Sequence, residues 1–187
     1  MNESLLQNSP EKKSDIEEPS DIIESISYIE DQSPDFDALL HSGRKISTAR
    51  RDSLSEITKE GILFSNWHVP CHCIIVRAKN GDCQAFHIQP NKMSASFLTY
   101  EQEEALKGYK NSDAKYIVAK GIRSWFEHAD SSELKRMNIT EEKVVHVDTS
   151  DWWRLIYDIE KNELWIDIKD KQLLLKYKGF NLKPIQS

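Results

Sequence analysis

The 187-residue chain predicts one α/β domain of mainly antiparallel strands with about two helices, behind a disordered acidic segment. Three observations carry this reading. The apolar run Cys73-Ile74-Ile75-Val76 turns back through Lys79-Asn80-Gly81-Asp82 into Cys83–Ile88, which is a hairpin signature. Arg154–Ile159 and Glu163–Ile168 alternate apolar and polar residues around Lys161-Asn162, which is a second one. Residues 1–40 hold 11 acids and 2 bases, a net of −9, whereas the remaining residues hold 20 acids and 23 bases, a net of +3. The boundary is therefore set at a disordered segment 1–41 and a folded domain 42–187.

Taken in order, the acidic segment carries Pro10, Pro19 and Pro34 and little apolar material, so it cannot offset its ordering entropy. Its isoleucines offer an alternative, because Ile22, Ile26 and Ile29 share one face of a short docking helix. Ile57–Phe64 leads into the first strand. Cys73–Val76 is β-branched and reads as a buried strand. Asn80-Gly81 tolerates the positive φ of a type I′ turn, and Pro90 stops the return strand. Residues 94–109 read as a helix capped by Ser94 or Ser96. Tyr116–Ala119 is a strand, Ser131 or Ser132 opens a short helix to Arg136, and Lys143–Val147 is a strand. The 154–168 hairpin and a strand over Leu173–Tyr177 close the series.

Composition excludes several classes. No run approaches the roughly 20 apolar residues of a membrane-spanning helix. A domain charge of +3 without a Lys/Arg cluster is a weak footprint for nucleic acid. Met1-Asn2-Glu3-Ser4 opens no basic and apolar leader, so the expected location is the cytoplasm, or export from a bacterium without a cleaved signal. Three cysteines suit reduced thiols, ligands or a nucleophile better than a disulfide framework.

The chemistry concentrates in one stretch. All three cysteines lie between residues 71 and 83, and His68, His72 and His87 lie between 68 and 87. A thiol becomes a strong nucleophile when an imidazole takes its proton. A two-residue turn at Asn80-Gly81 sets His87 opposite position 74, one residue from Cys73 and three from Cys71, and a bulge or slightly different register brings it beside either thiol. The alternative is zinc held by Cys71, Cys73, Cys83 and His87, with His68 and His72 in reserve. Against zinc, Cys-x-Cys is short for a zinc knuckle, and same-face strand neighbours stand roughly 6.5 Å apart. A third reading makes the cysteines simple core residues. Trp152 and Trp153, adjacent on a strand, point to opposite faces, and one of them would serve as a partner-binding anchor.

The order of features over roughly residues 60–168 resembles the chemotaxis receptor deamidase family, CheD. Val69-Pro70-Cys71 stands where the family has Gly-Ser-Cys, followed by the Asn80-Gly81 hairpin and Phe86-His87-Ile88-Gln89-Pro90. A helix then leads to Ala114-Lys115-Tyr116-Ile117-Val118, and Arg154-Leu155-Ile156-Tyr157-Asp158 precedes the last turn and Leu164-Trp165-Ile166. The resemblance implies a CheD-like two-sheet sandwich and protein glutamine deamidase chemistry, a hydrolase reaction that needs no cofactor. Similar Cys–His sites recur in toxins like the cytotoxic necrotizing factors. By this likeness Cys71 is the nucleophile, with Cys73 the alternative, His87 is the general base, and Ser65, six residues before Cys71, orients the site. The partner implied is a protein presenting a glutamine. The family's paired glycines are replaced here by Gln84-Ala85, Val118-Ala119 and Ser150-Asp151. Together with the acidic segment this points to a specialised relative, such as a secreted bacterial effector, or to a binding module that has lost turnover.

Overall fold

The computed structural model describes residues 25–30, 34–68, 71–89, 98–121, 135, 139–149 and 153–168. Nine strands and two helices are described: β1 (Ser25–Glu30), α1 (Pro34–Leu40), β2 (Ile46–Ala49), β3 (Ile62–His68), β4 (His72–Arg77), β5 (Cys83–Ile88), α2 (Tyr100–Tyr109), β6 (Lys115–Gly121), β7 (Val144–Thr149), β8 (Trp153–Asp158) and β9 (Glu163–Ile168). They form a five-stranded sheet in the order β1-β9-β8-β3-β2 and a four-stranded sheet in the order β5-β4-β6-β7. Among the described residues, no helix is long and apolar enough to cross a membrane.

Strand alternation explains the layering. In β4, Cys73 and Ile75 face one core with Leu63, Trp153, Leu155 and Tyr157 of the larger sheet. Ile74 and Val76 face a second core with Phe86, Val118 and Leu106 of α2. A third cluster joins Phe36 and Leu39 of α1 to Ile62 and Ile156 on the outer face of the larger sheet. The stack therefore runs α1, five-stranded sheet, four-stranded sheet, α2. β4 is buried on both faces, which is why its sequence is a continuous apolar run.

Several expectations change. The sheets are mixed: β3–β8, β4–β5, β4–β6 and β8–β9 are antiparallel, as expected, but β1–β9, β2–β3 and β6–β7 are parallel, and each parallel pair adds a strand at a sheet edge. Hairpins are visible locally in sequence, whereas parallel partners arrive through long connections. The disordered segment does not reach residue 41. Residues 25–30 pair with β9, and α1 buries Phe36, so the domain begins before residue 42; Ile26 and Ile29 lie on a strand rather than on a docking helix, and Ile22 lies outside the described residues. Residues 1–24 lie outside the described residues, as do the expected helix to Arg136, apart from Lys135, and the strand over 173–177. α2 starts at Tyr100, capped by Thr99 in a capping box with Gln102. Ser94 and Ser96 also lie outside the described residues.

β3 begins at Ile62 because Gly61 turns the chain. Gly61 has a φ of +85°, and a Cβ there would lie 2.3 Å from the Lys45 carbonyl oxygen, which accepts the Ile62 N–H at 2.9 Å. Gly61→Ala combines a left-handed backbone with a backbone clash, so it is expected to cost about 2 kcal/mol or more. A urea denaturation midpoint unchanged by this substitution would contradict the account.

Candidate functional site

The turn between β4 and β5 fixes the register on which the site depends. Gly81 N–H donates to the Ala78 carbonyl at 2.9 Å, and Ala78 N–H to the Asp82 carbonyl at 2.8 Å. Gly81 has a φ of +88°, while Asn80 does not have a positive φ. This is a type I turn closed by a left-handed glycine, not the expected type I′ turn, and it adds one residue to the loop. His87 is thereby paired with Cys73 and not with Ile74. The His87 N–H points away from β4, donating to the Ser53 carbonyl at 2.9 Å. Cys73 and His87 thus form a narrow, non-hydrogen-bonded pair, with Cα atoms about 4.5 Å apart in such geometry. The His87 carbonyl accepts from Gln102 Nε2 at 2.9 Å, which ties the strand to the first turn of α2.

A bulge in β3 supplies the other side of the cluster. Ser65 pairs with Leu155, but His68 pairs with Trp153, so one extra residue is accommodated between them. Without the bulge, residues three apart would face opposite sides of the sheet. With it, Ser65 and His68 both turn towards His87. Ser65 Oγ lies 3.4 Å from His87 Nδ1 and 2.8 Å from His68 Nε2. The His68 ring is stacked between His87, at 3.8 Å, and Trp153, at 3.9 Å. Ser65 Oγ also donates to the Ala49 carbonyl at 3.3 Å.

The cluster is fully enclosed: Ser65, His68, Cys73 and Trp153 are 0% exposed and His87 is 1% exposed. Burial pushes the Cys73 thiol up to about 12, against smaller opposing effects of the Ser65 hydroxyl and the Phe86 backbone. Burial also pulls His87 down to about 4, with Asp52 and the Ala49 carbonyl opposing and Arg51 adding. His68 falls well below its ordinary value, first through burial and then through the charges of His87 and His72. At neutral pH all three groups are therefore uncharged. His87 Nε2, His68 Nδ1 and Trp153 Nε1 are buried without a hydrogen-bond partner among the described residues. Each such group costs free energy, so their convergence on one cluster is a functional signal.

The expected residues separate into two groups. Ser65, Cys73 and His87 come together. Cys71, 3% exposed, stands just before β4, and the continued register would set it opposite Gln89 beyond the end of β5. The four alternative zinc ligands do not converge. Cys83 opens β5 at the turn end, about 13 Å along the strand from His87, where its Sγ donates to the Gly81 carbonyl. Among the described residues, no three His, Cys, Asp or Glu side chains are grouped to hold a metal. His72 falls on the face of β4 opposite Cys73 by strand alternation. Trp153 is buried against His68 and so cannot be an exposed anchor, and Trp152 lies outside the described residues. A cleft of about 350 Å³ opens between the β4–β5 turn and α2, lined by Ala78, Asp82, Gln84 and Tyr109, and it contains none of these cysteines or histidines.

His68 as a member of the cluster was missed by the sequence reading, which held it only as a reserve metal ligand. The bulge that brings it inward leaves no signal in residue spacing. No protein-family model matches the chain, and no curated protein matches it.

Proposed function

We propose that the chain is a cysteine-dependent protein glutamine deamidase on a CheD-like sandwich, with Cys73 as nucleophile, His87 as general base and Ser65 as the orienting hydroxyl. One observation carries this reading: Cys73 stands directly across from His87, whose Nε2 has no partner and whose Nδ1 faces Ser65. With its own proton directed to the Ala49 carbonyl, Ser65 Oγ can accept from His87, so the proton sits on Nδ1 and Nε2 keeps its lone pair.

In the first step the Cys73 thiol gives its proton to His87 Nε2 as sulfur bonds to the amide carbon of glutamine. The Ser65 hydroxyl turns from the Ala49 carbonyl to the sulfur as charge develops there. Collapse of the tetrahedral adduct breaks the C–N bond, and His87 returns its proton to the departing ammonia. Water then adds to the thioester, His87 takes the water proton and returns it to sulfur, and glutamate is released. Because the thiol is buried and neutral in the described form, substrate binding must uncover it. Cys71, two residues nearer the strand start, is the alternative nucleophile. The acidic first 40 residues fit an exported bacterial effector, whose substrate is a protein of the cell it enters, and the cytoplasmic location is the alternative.

A second reading is a binding module that has lost turnover, and the complete burial of Cys73, His68 and His87 favours it. Peptide mass spectrometry of candidate substrate proteins separates the two. Each converted glutamine gains about one dalton, as hydrolysis of the acyl-enzyme leaves an acid. Cys73→Ala and His87→Ala should each lower the rate at least about 1000-fold, as expected for residues acting as a unit. Cys71→Ala should stay within about threefold. The reverse pattern for the cysteines would move the nucleophile to Cys71. No mass gain, together with no His87-dependent labelling by a glutamine-like electrophile, would leave the binding module.

A further inference from the structure

We infer that His68 is a positioning residue for His87, acting through Ser65: its Nε2–H donates to Ser65 Oγ and so holds His87 in the tautomer that leaves Nε2 unprotonated. The inference rests on the reading of His87 as the base.

The hydrogen-bond inventory of Ser65 Oγ leads to it. A hydroxyl has one proton and two lone pairs. The Ala49 carbonyl can only accept, so it takes the Ser65 proton at 3.3 Å. Two lone pairs remain for the two imidazole nitrogens, His68 Nε2 at 2.8 Å and His87 Nδ1 at 3.4 Å. Both nitrogens are then donors. The atoms left without partners, His68 Nδ1 and His87 Nε2, are bare acceptors. An unmatched buried acceptor is less costly than an unmatched donor, so this assignment has the lowest cost.

The shorter of the two contacts is the one from His68, and it governs the other. While His68 donates into Ser65 Oγ, the hydroxyl proton is turned away towards Ala49, and a lone pair faces His87. Without that donor the hydroxyl is free to rotate and donate to His87 Nδ1. The imidazole proton would then move to Nε2, and the base would lose its lone pair. The ring of His68 cannot turn to avoid its task, because it is clamped face to face between Trp153 and His87. That clamp depends on the β3 bulge, which turns His68 to the same side as Ser65.

The test is imidazole ¹⁵N NMR on the full chain, which reads the tautomer of each histidine directly. In the unchanged protein His87 should carry its proton on Nδ1 and His68 on Nε2. His68→Gln retains an N–H donor and should preserve the His87 tautomer. His68→Phe retains the stacked ring without the donor and should shift His87 about tenfold towards the Nε2–H form, the worth of one hydrogen bond. A His87 already protonated on Nε2 in the unchanged protein overturns the inference, even if the Phe variant does not fold. So does a Phe variant with an unaltered tautomer, or a Gln variant that behaves like the Phe variant. The expected tautomers without any glutamine turnover would reject the deamidase reading and leave this inference standing.

Discussion

The protein is expected to lose roughly 3 kcal/mol of stability between pH 6.5 and pH 4 through His87 alone. The folded state holds this imidazole near 4, while the unfolded chain returns it to its ordinary value of about 6.5. Above 6.5 it is neutral in both states and pH has no effect. As pH falls through the window, only the unfolded chain takes the proton, so unfolding is favoured. Below about 4 both states are protonated and the penalty levels off. His68 acts in the same direction, since burial holds it well below its ordinary value. The two rings are stacked, so a proton on either opposes a second on the other. Urea midpoints at pH 7.5, 5 and 4 should fall steeply, and His87→Leu should remove much of the slope. Equal midpoints at pH 7.5 and pH 4 would show that neither ring is held neutral.

The second large effect is expected at the other end of the larger sheet. Arg44 makes a two-pronged contact with Asp158, Nη1 to Oδ2 at 2.5 Å and Nη2 to Oδ1 at 2.8 Å. It also contacts Glu160, which accepts the Gly61 N–H at 2.8 Å. Asp158 is 0% exposed, so Arg44→Met strands a buried carboxylate and should cost about 3 kcal/mol. Arg44→Met combined with Asp158→Asn should cost less than the sum of the two single changes, because the stranded charge is gone. Burial alone would raise the Asp158 carboxyl, but the Arg44 hydrogen bonds and the Lys161 N–H outweigh it and hold the group below its ordinary value. Its contribution is present above the unfolded value of about 3.9 and is lost as pH falls through the lowered folded value. That window lies below the histidine window, so a pH series separates the two. A loss under about 0.5 kcal/mol for Arg44→Met would make this an ordinary surface pair.

The two hairpins were legible in the sequence because each declares itself locally. Asn80-Gly81 and Lys161-Asn162 sit between runs of the right period, and both strand pairs form there. β1, α1 and β2 were not legible. Four to seven residues with an acidic or polar composition carry little periodic signal, and β1 is a strand because of β9, far along the chain. At the site, the candidacy of His87, and of Cys73 as the alternative to Cys71, could be read from residue type and order, whereas Ser65 came from the family resemblance alone. Two one-residue irregularities decided the rest. The left-handed Gly81 moved His87 from position 74 to Cys73, and the β3 bulge turned His68 inward. Both insert a residue without altering composition, so neither shows in a pattern of apolar and polar positions.

The strand order of the larger sheet carries a consequence for how the chain is made. β8 and β9 occupy its middle, between β1 and β3, so the sheet is assembled around its last strands. Ser25 emerges from the ribosome early but cannot pair until Glu163 follows. At about 5–20 residues per second, β1 and β3 wait several seconds for their neighbours. During that time β3 has only β2 beside it within its sheet, and the apolar inner face of Leu63 lies open. Folding of the larger sheet should therefore wait for residues 153–168 and be slow, as expected of pairings between distant segments. A nascent chain stopped before residue 153 would lack the centre of one sheet and would be a natural client for a chaperone.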